Sequence, residues 1–342
     1  MPYPEGSAEP ANRMAGEESL GPDVELTWQA PPEPKPERPP PLAEVRHALA
    51  LHGLWLENGP GGQRADLEGI ELDQPMLGPV RLDRATLRRL NWPAAQFNSS
   101  SWYGAESAAC DFSLSHFGPA AMTGSRWVNC RLDSASLSSS ELCESEWEGC
   151  NLEKVKAAGS RWLEAKLNRV NFMGAQLRQA AFHQVRAMEC NFTGAELEEC
   201  LFYRAELQLC RFQQCVATGA NFTKARLQHC DFTGGVLRDA RFGRAKIVVG
   251  KFHKCDLTGA DFRGSDLRAC VFGGAKLEGA RFLEAYTYGA DFRGANLARA
   301  CDLTARQLAQ ALTDNLTILP NGTHGPYMRG SGAERPRPRG IF

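Results

Sequence analysis

The sequence predicts a stacked solenoid, and three observations carry that prediction. From Ala65 to Leu297 a five-residue unit runs without insertion or deletion, so its frame can be read from the residue numbers themselves. Numbers ending in 2 or 7 carry a large apolar residue: of 47 such positions, 42 are Leu, Phe, Trp, Met or Ile. Two residues before each, at numbers ending in 0 or 5, stands a small residue, mostly Ala, Cys, Ser or Gly, and the other three positions are mostly polar. A period of five is neither the 3.6 of a helix nor the 2 of a plain strand, so ordinary amphipathic readings fail. A short fixed period over hundreds of residues signals units stacked along one axis.

The units ADLEG (from Ala65), CDLTG (from Cys255), ADFRG (from Ala260) and ANLAR (from Ala295) strongly resemble the pentapeptide-repeat family, whose bacterial members they are most like, over about two-thirds of the chain. The resemblance implies an all-β fold, a right-handed quadrilateral β-helix. In it four units make one square coil, and the central residue and the small one two before it point inward. Forty-seven units then give about twelve coils, and at ~4.8 Å per stacked strand a rod roughly 55 Å long. From Trp162 onward numbers ending in 2 are nearly all Phe and those ending in 7 nearly all Leu, so Phe is expected to stack on Phe and Leu on Leu. Of 17 Phe, 16 occupy central positions, which assigns the aromatic content to the core and leaves little for a cofactor box. Five centres are small: Ser107, Ala157, Ala187, Ala217 and Thr287. Three of them follow an enlarged partner, Val155, Val185 or Cys215, a volume swap that keeps the core filled in preference to a ligand cavity.

The cysteines follow the same frame. Ten of the twelve (Cys110, Cys130, Cys150, Cys190, Cys200, Cys210, Cys215, Cys230, Cys255 and Cys270) hold the inward small position, and seven of these share one column at multiples of twenty residues. Parallel Cβ vectors in such a column stay ~4.8 Å apart, whereas a disulfide prefers about 3.8 Å, so buried free thiols are expected. Zinc is not expected, because Cys-x-x-Cys spacing is lacking and the seven His do not share the thiol column.

A net charge of -1 gives no global bias towards nucleic acid or an anionic membrane. Between Ala65 and Ala300 there are 29 Lys and Arg against 27 Asp and Glu. The N-terminus lacks a basic start followed by an apolar run, and no segment approaches the ~18 apolar residues of a membrane span, so a soluble, cytoplasmic protein without membrane partners is expected.

In chain order, residues 1–41 read as an acidic, Pro-rich, disordered arm. PPEPKPERPPP from Pro31 to Pro41 favours an extended spacer, with docking to an aromatic groove as the alternative. Residues 42–64 read as a cap. Leu42 to Leu51 has helix-compatible apolar spacing with Gly53 placed to stop it, and His52, Trp55, Leu56 and the Gly61–Leu67 stretch resemble the family's lead-in to the first coil. The repeat domain covers 65–303, where the frame slips by one residue at Cys301-Asp302-Leu303. Residues 304–320 are the closing cap: Thr304 to Gln307 is a capping-box signature, and a helix over Ala305 to Thr313 should lay Leu308 and Leu312 on the last coil. Residues 321–342 read as a disordered basic tail, with Arg335, Arg337 and Arg339 solvated or in weak contact with an anion.

No catalytic constellation is found. Gly59 to Gly62 lacks the Lys-Ser/Thr of a phosphate loop, no Gly-x-Ser-x-Gly elbow occurs, and the His are dispersed over caps, faces and tail. The chain therefore reads as a non-enzyme without cofactor or metal, a scaffold or adaptor rod binding a protein partner along its flat faces or an edge. The alternatives are a DNA mimic acting on a type II topoisomerase, as some family members are, and an accessory role in a bacterial secretion system. Mimicry needs strong negative charge, and residues 151–300 carry 23 bases against 15 acids. One edge stands out. Residues ending in 4 and 6 flank the same inward residue, and over four coils Arg186, Arg204, Lys224, Arg226, Arg244 and Lys246 share one such edge, opposed by Glu206 alone. Like charges stacked at ~4.8 Å repel, so this candidate partner-binding edge fits an acidic protein better than a nucleic acid backbone. The bland reading is a solvated edge closed at its ends by Glu164, Asp266 and Glu284.

Overall fold

A computed structural model describes residues 41–336. Helix α1 (Pro41–Leu56) is followed by ten three-residue strands, β1 (Asp66–Glu68) to β10 (Lys246–Val248), and then by helix α2 (Ala305–Gln310). Each strand pairs in parallel with the next in chain order, and partners differ by twenty residues, as in Asp66↔Thr86 and Glu206↔Arg226. Three more columns of single parallel bridges repeat the same step, for example Asn171↔Asn191, Gln176↔Glu196 and Arg161↔Ala181. Each twenty-residue coil therefore has four sides. Ten strands delimit nine turns, fewer than the twelve coils expected, because beyond β10 the column continues as the single bridges Lys246↔Asp266 and Asp266↔Tyr286 rather than as strands.

The backbone accounts for the five-residue unit. Amides that open a side donate to the coil before (Asn191 N–H to Val170 O, 3.0 Å) and central amides to the coil after (Phe192 N–H to Arg211 O, 2.6 Å), so the main chain is satisfied between coils. At three of the four corners a tight turn closes back on the central residue, as Ala195 N–H does on Phe192 O (3.1 Å), with positive φ at its third residue, here Gly194 (φ 65°). That is the sign required of a type II turn.

Inside, every central residue from Leu82 to Leu297 is at most 3% exposed. Phe rings stack within a column at the coil spacing, Phe192 on Phe212 at 4.8 Å and 2° and Phe202 on Phe222 at 4.8 Å and 1°. Between columns they meet edge to face, Phe202 against Phe212 at 6.0 Å and 89°. Both are arrangements that the ring quadrupole favours. Three of the five Trp centres also have a polar partner: Ser125, Ser145 and Ser160 accept from the indoles of Trp127, Trp147 and Trp162 at 2.8–2.9 Å, whereas the buried indole N–H groups of Trp92 and Trp102 have none among the described residues. Val155, Val185 and Cys215 are buried together with the small centres that follow them. Thr287 has a different reason to be small: its hydroxyl donates to Gln307 O (3.0 Å) and ties α2 to the rod.

All ten inward cysteines are buried and all twelve are free thiols. Cys200 and Cys255 donate to Leu177 O and Phe232 O in the preceding coil at 2.8 Å. Burial pushes the Cys255 and Cys270 thiols up to about 12 and those of Cys200 and Cys215 higher still. Cys143 is half-buried and Cys301 exposed.

The ends depart from expectation. Helix α1 does not stop at Gly53; it runs to Leu56 and is closed by Asn58 (φ 54°), with Gly59 N–H on Leu54 O (2.8 Å). An interior glycine costs a helix only about 1 kcal/mol, and the extra turn brings His52 and Trp55 onto the lead-in. His52, fully buried, accepts from Ala65 N–H through Nδ1 (3.0 Å) and stacks on Trp55 at 5.5 Å. Gly62 passes so close to the Trp55 backbone that a Cβ there would collide with it. At the other end the Thr304–Gln307 capping box forms, but α2 ends at Gln310. Leu308 is buried, whereas Leu312 is 50% exposed because it bridges Asp291 and continues an outward column. Residues 321–336 are not the free tail expected. The chain turns back so that Ile318 and His324 bridge antiparallel, Asn321 N–H reaches Ala333 O (3.1 Å), and Tyr327 donates to Glu334 (3.1 Å). The last edge of that one side of the coil, Ile318, is thereby paired. The arm, apart from Pro41, and residues 337–342 lie outside the described residues.

Phe212→Ala removes a ring stacked on both sides and should cost about 3–5 kcal/mol by chemical denaturation. Exposed Arg211→Asp, one residue away, should stay within about 0.5 kcal/mol. In the folded protein Cys143 and Cys301 should react with a thiol reagent at rates far above the ten inward cysteines, as peptide mass spectrometry would record. Burial holds the His52 imidazole below its ordinary pKa, so folding favours its neutral form. The unfolded chain then binds the extra proton, so this contribution is full above pH about 6.5 and falls as pH drops below that value. Trp55 fluorescence should report a cap that loosens with acidification, and His52→Ala should cost about 1–3 kcal/mol by leaving Ala65 N–H unpaired.

Candidate functional site

One corner of the rod carries the candidate edge. Arg204, Lys224 and Arg244 are the third residues of turns closed by Ala205, Ala225 and Ala245 N–H on Phe202, Phe222 and Phe242 O (3.1, 3.0 and 2.9 Å), with φ of 56°, 60° and 55°. The following inward alanines are buried, and the chain then enters a strand. Arg186, Arg226 and Lys246 open β7 (Arg186–Met188), β9 (Arg226–Gln228) and β10, while Glu206 opens β8 (Glu206–Gln208). Amide bonds to the preceding coil fix this row, Glu206 N–H on Val185 O (2.8 Å) and Arg226 N–H on Ala205 O (2.9 Å). The edge is thus two parallel rows of side chains, a turn row and a strand row, held by backbone alone.

Arg186, Arg204, Lys224 and Arg226 line one open groove of about 620 Å³, together with Glu144, Glu164, Lys166, Gln184 and Glu206. Arg244 and Lys246 continue the two rows in the next coil, outside the groove. Glu206 serves two cations, Arg226 at 3.5 Å and Arg186 at 3.9 Å, with all three side chains more than half exposed. Such pairs are weak. Among the described residues, Arg204, Lys224, Arg244 and Lys246 have no carboxylate partner within 4.0 Å.

Arg204 and Lys224 rest on an aromatic ring. The Arg204 guanidinium lies 5.2 Å and the Lys224 ammonium 5.6 Å from the centre of the Tyr203 ring, and Lys224 Nζ donates to the Tyr203 hydroxyl at 3.3 Å. Lys224 holds the Tyr203 phenol below its ordinary pKa through that hydrogen bond. Tyr203 thus sits between two like charges, the Arg204 guanidinium near its ring and the Lys224 ammonium on its hydroxyl. Tyr203 was not singled out from the sequence, although an outward aromatic beside a basic residue is a readable signal. The site offers charge-assisted donors for carboxylate or phosphate oxygens. Among the described residues no group of three or more His, Cys, Asp or Glu is placed to hold a metal ion, and no helix is long and apolar enough to cross a membrane.

Comparison with known proteins bears on the repeat itself. The pentapeptide repeat region matches residues 185–250, and pentapeptide repeats (8 copies) match 148–184, 251–282 and 265–301. HetL, a pentapeptide repeat protein involved in heterocyst differentiation regulation from the cyanobacterium Nostoc sp. strain PCC 7120, is 20% identical, with 80% of this chain and 96% of that one covered and a TM-score of 0.25. QnrB1, a plasmid-mediated fluoroquinolone resistance protein, is 19% identical over 60% of this chain and 88% of its own, with a TM-score of 0.29. A pentapeptide repeat protein of the Arabidopsis thaliana thylakoid lumen is 28% identical over 31% and 81%, with a TM-score of 0.15. No curated protein matches the sequence significantly. With a four-sided parallel coil repeating every twenty residues and family matches running from 148 to 301, that stretch of the chain consists of pentapeptide repeats.

Proposed function

We propose that this chain is a non-catalytic interaction rod that holds an acidic protein surface along the edge bearing Arg186, Arg204, Lys224, Arg226, Arg244 and Lys246. The observation that carries the reading is the balance of that edge, six cations against the one carboxylate of Glu206 over four coils, with two of the cations gathered on Tyr203. Each exposed ion pair contributes only about 0.2–1 kcal/mol, so binding depends on several formed in register and weakens with salt. A DNA-mimic modulator of a type II topoisomerase would need the opposite sign of charge on this half of the rod, where bases exceed acids 23 to 15. No residue of the edge bears on an accessory role in secretion.

The test compares two charge reversals of equal size. Arg204→Glu, Lys224→Glu and Arg244→Glu together should abolish retention on immobilised poly-glutamate at about 0.15 M salt and leave the melting temperature nearly unchanged. Arg211→Glu, Arg241→Glu and Lys251→Glu, on other sides of the rod, should retain binding. Equal loss in both triples would reduce the binding to net charge and overturn the edge as the site.

A further inference from the structure

The geometry points to a second copy of this chain, running antiparallel, as the partner of the edge. This inference rests on the reading of the edge as the interaction surface and names what covers it. Along the edge the charge balance changes. Glu144, Glu146 and Glu164 alternate with Arg126, Lys166 and Arg186 towards one end, and Arg204, Lys224, Arg226, Arg244 and Lys246 outnumber Glu206 and Asp266 towards the other.

A two-fold axis perpendicular to two side-by-side rods, crossing the edge midway between the Gln184/Arg186 coil and the Arg204/Glu206 coil, lays turn row on turn row and strand row on strand row. In the turn row it sets Glu144 opposite Arg244, Glu164 opposite Lys224 and Gln184 opposite Arg204. In the strand row it sets Arg126 opposite Asp266, Glu146 opposite Lys246 and Arg186 opposite Glu206. From Gly124 to Asp266 one like-charged pair remains, Lys166 with Arg226. Both copies have the same coil spacing, so a match in one coil carries through all of them, and the symmetry repeats every pair. This is the self-complementarity that an isologous interface requires.

The alternatives fail on the same residues. A slip of one coil one way sets Arg186 opposite Arg226, Lys166 opposite Lys246 and Glu146 opposite Asp266; a slip the other way keeps Glu144, Glu164, Glu146 and Lys166 opposite Lys224, Arg204, Arg226 and Glu206 but sets Arg186 opposite its own copy and Arg126 opposite Lys246. A parallel pair lays the turn row on the strand row and sets Glu144 opposite Glu146, Lys224 opposite Arg226 and Arg244 opposite Lys246. Like charges facing across an interface select against all three. Within one chain, among the described residues, Glu144, Lys224, Arg244 and Lys246 form no ion pair, and Glu164 accepts from the Gln184 amide at 3.2 Å. The antiparallel copy brings a partner to each of them.

Sedimentation of the full chain tests the pairing. The wild type should sediment at twice the chain mass at about 0.01 M salt and as single chains at about 1 M, where the screening length falls from ~30 to ~3 Å. Glu144→Arg alone and Arg244→Glu alone should each weaken the dimer about tenfold or more. The two together should restore it, because the opposing charges have only exchanged sides. Both residue types already occupy this turn row, at Glu164 and Arg204, so the variants should fold. A wild type that stays monomeric at low salt, or a double variant that does not recover, overturns the pairing. If that monomer is still retained on poly-glutamate through Arg204, Lys224 and Arg244, the broader reading of an acidic partner survives; if retention is lost too, both readings fall.

Discussion

Stacking at one fixed offset is the constraint on which this molecule depends. Each side of a coil is hydrogen-bonded to the coil before and the coil after, as Asn221 N–H is to Cys200 O (2.8 Å) and Phe222 N–H to Arg241 O (2.7 Å). An inserted residue would misalign two sets of bonds at once, and orphaned backbone groups in a packed wall are costly. The frame accordingly holds from Ala65 to Leu297 and slips where the stack gives way to α2. Because the offset is constant, each residue sits over the one twenty positions away, and the packing choices become local to a column. One Phe column stacks at 4.7–5.1 Å from Phe172 to Phe292 and a second at 4.8–5.4 Å from Phe182 to Phe282. Thiols sit over thiols because Cys fills the inward position as a small hydrophobe with a weak donor.

Outside, the same superposition is a difficulty, because identical charges in one column repel. Three remedies appear along this rod. Signs alternate between coils, as in Lys166 on Glu146 at 2.7 Å and Arg161 on Glu141 at 3.0 Å. Near the C-terminal end the charge is neutralised within one unit, as Asp261, Asp266 and Asp291 each pair with the Arg two residues later at 2.6–2.7 Å, a contact that holds their carboxyls below the ordinary range. Neutral ladders replace charge altogether where Asn191 donates to Asn171 and Asn171 to Asn151 at 3.0 and 2.9 Å. On the candidate edge the strand row alternates once, Glu206 between Arg186 and Arg226, but the turn row of Arg204, Lys224 and Arg244 lacks all three.

The fold was legible because one period governs it. Position in the unit settles inward or outward, which is why the buried centres and thiols follow from residue numbers. The ends were less legible because they obey contacts that the period does not encode. Gly53 looks like a stop until His52 and Trp55 are seen packed on the lead-in, and Leu312 looks like a core residue until the shortened α2 returns it to an outward column. Residues 321–336 have the composition of a free tail, yet the unpaired last edge gives them backbone partners. For the candidate site, the shared edge of Arg186, Arg204 and Lys224 could be read from the numbering. The groove and the stacking on Tyr203 could not, since both depend on side-chain direction at turn residues with positive φ.

A repeating surface carries little information when every coil presents the same chemistry, so recognition must come from what varies along the axis. In this rod the varying quantity is charge. Between residues 65 and 150 acids outnumber bases 12 to 6, and between 151 and 300 bases outnumber acids 23 to 15. The reversal falls within a stack whose backbone is uniform, so it costs the fold little; surface substitutions of this kind move stability by tenths of a kcal/mol. The core can therefore stay periodic while the edge is free to specify. A partner with carboxylates at a different spacing would match one or two coils and then drift out of phase, whereas one built on the same ~4.8 Å repeat stays in phase along the whole edge. Spacing thus selects the architecture of the partner, and the order of charges selects its direction and register.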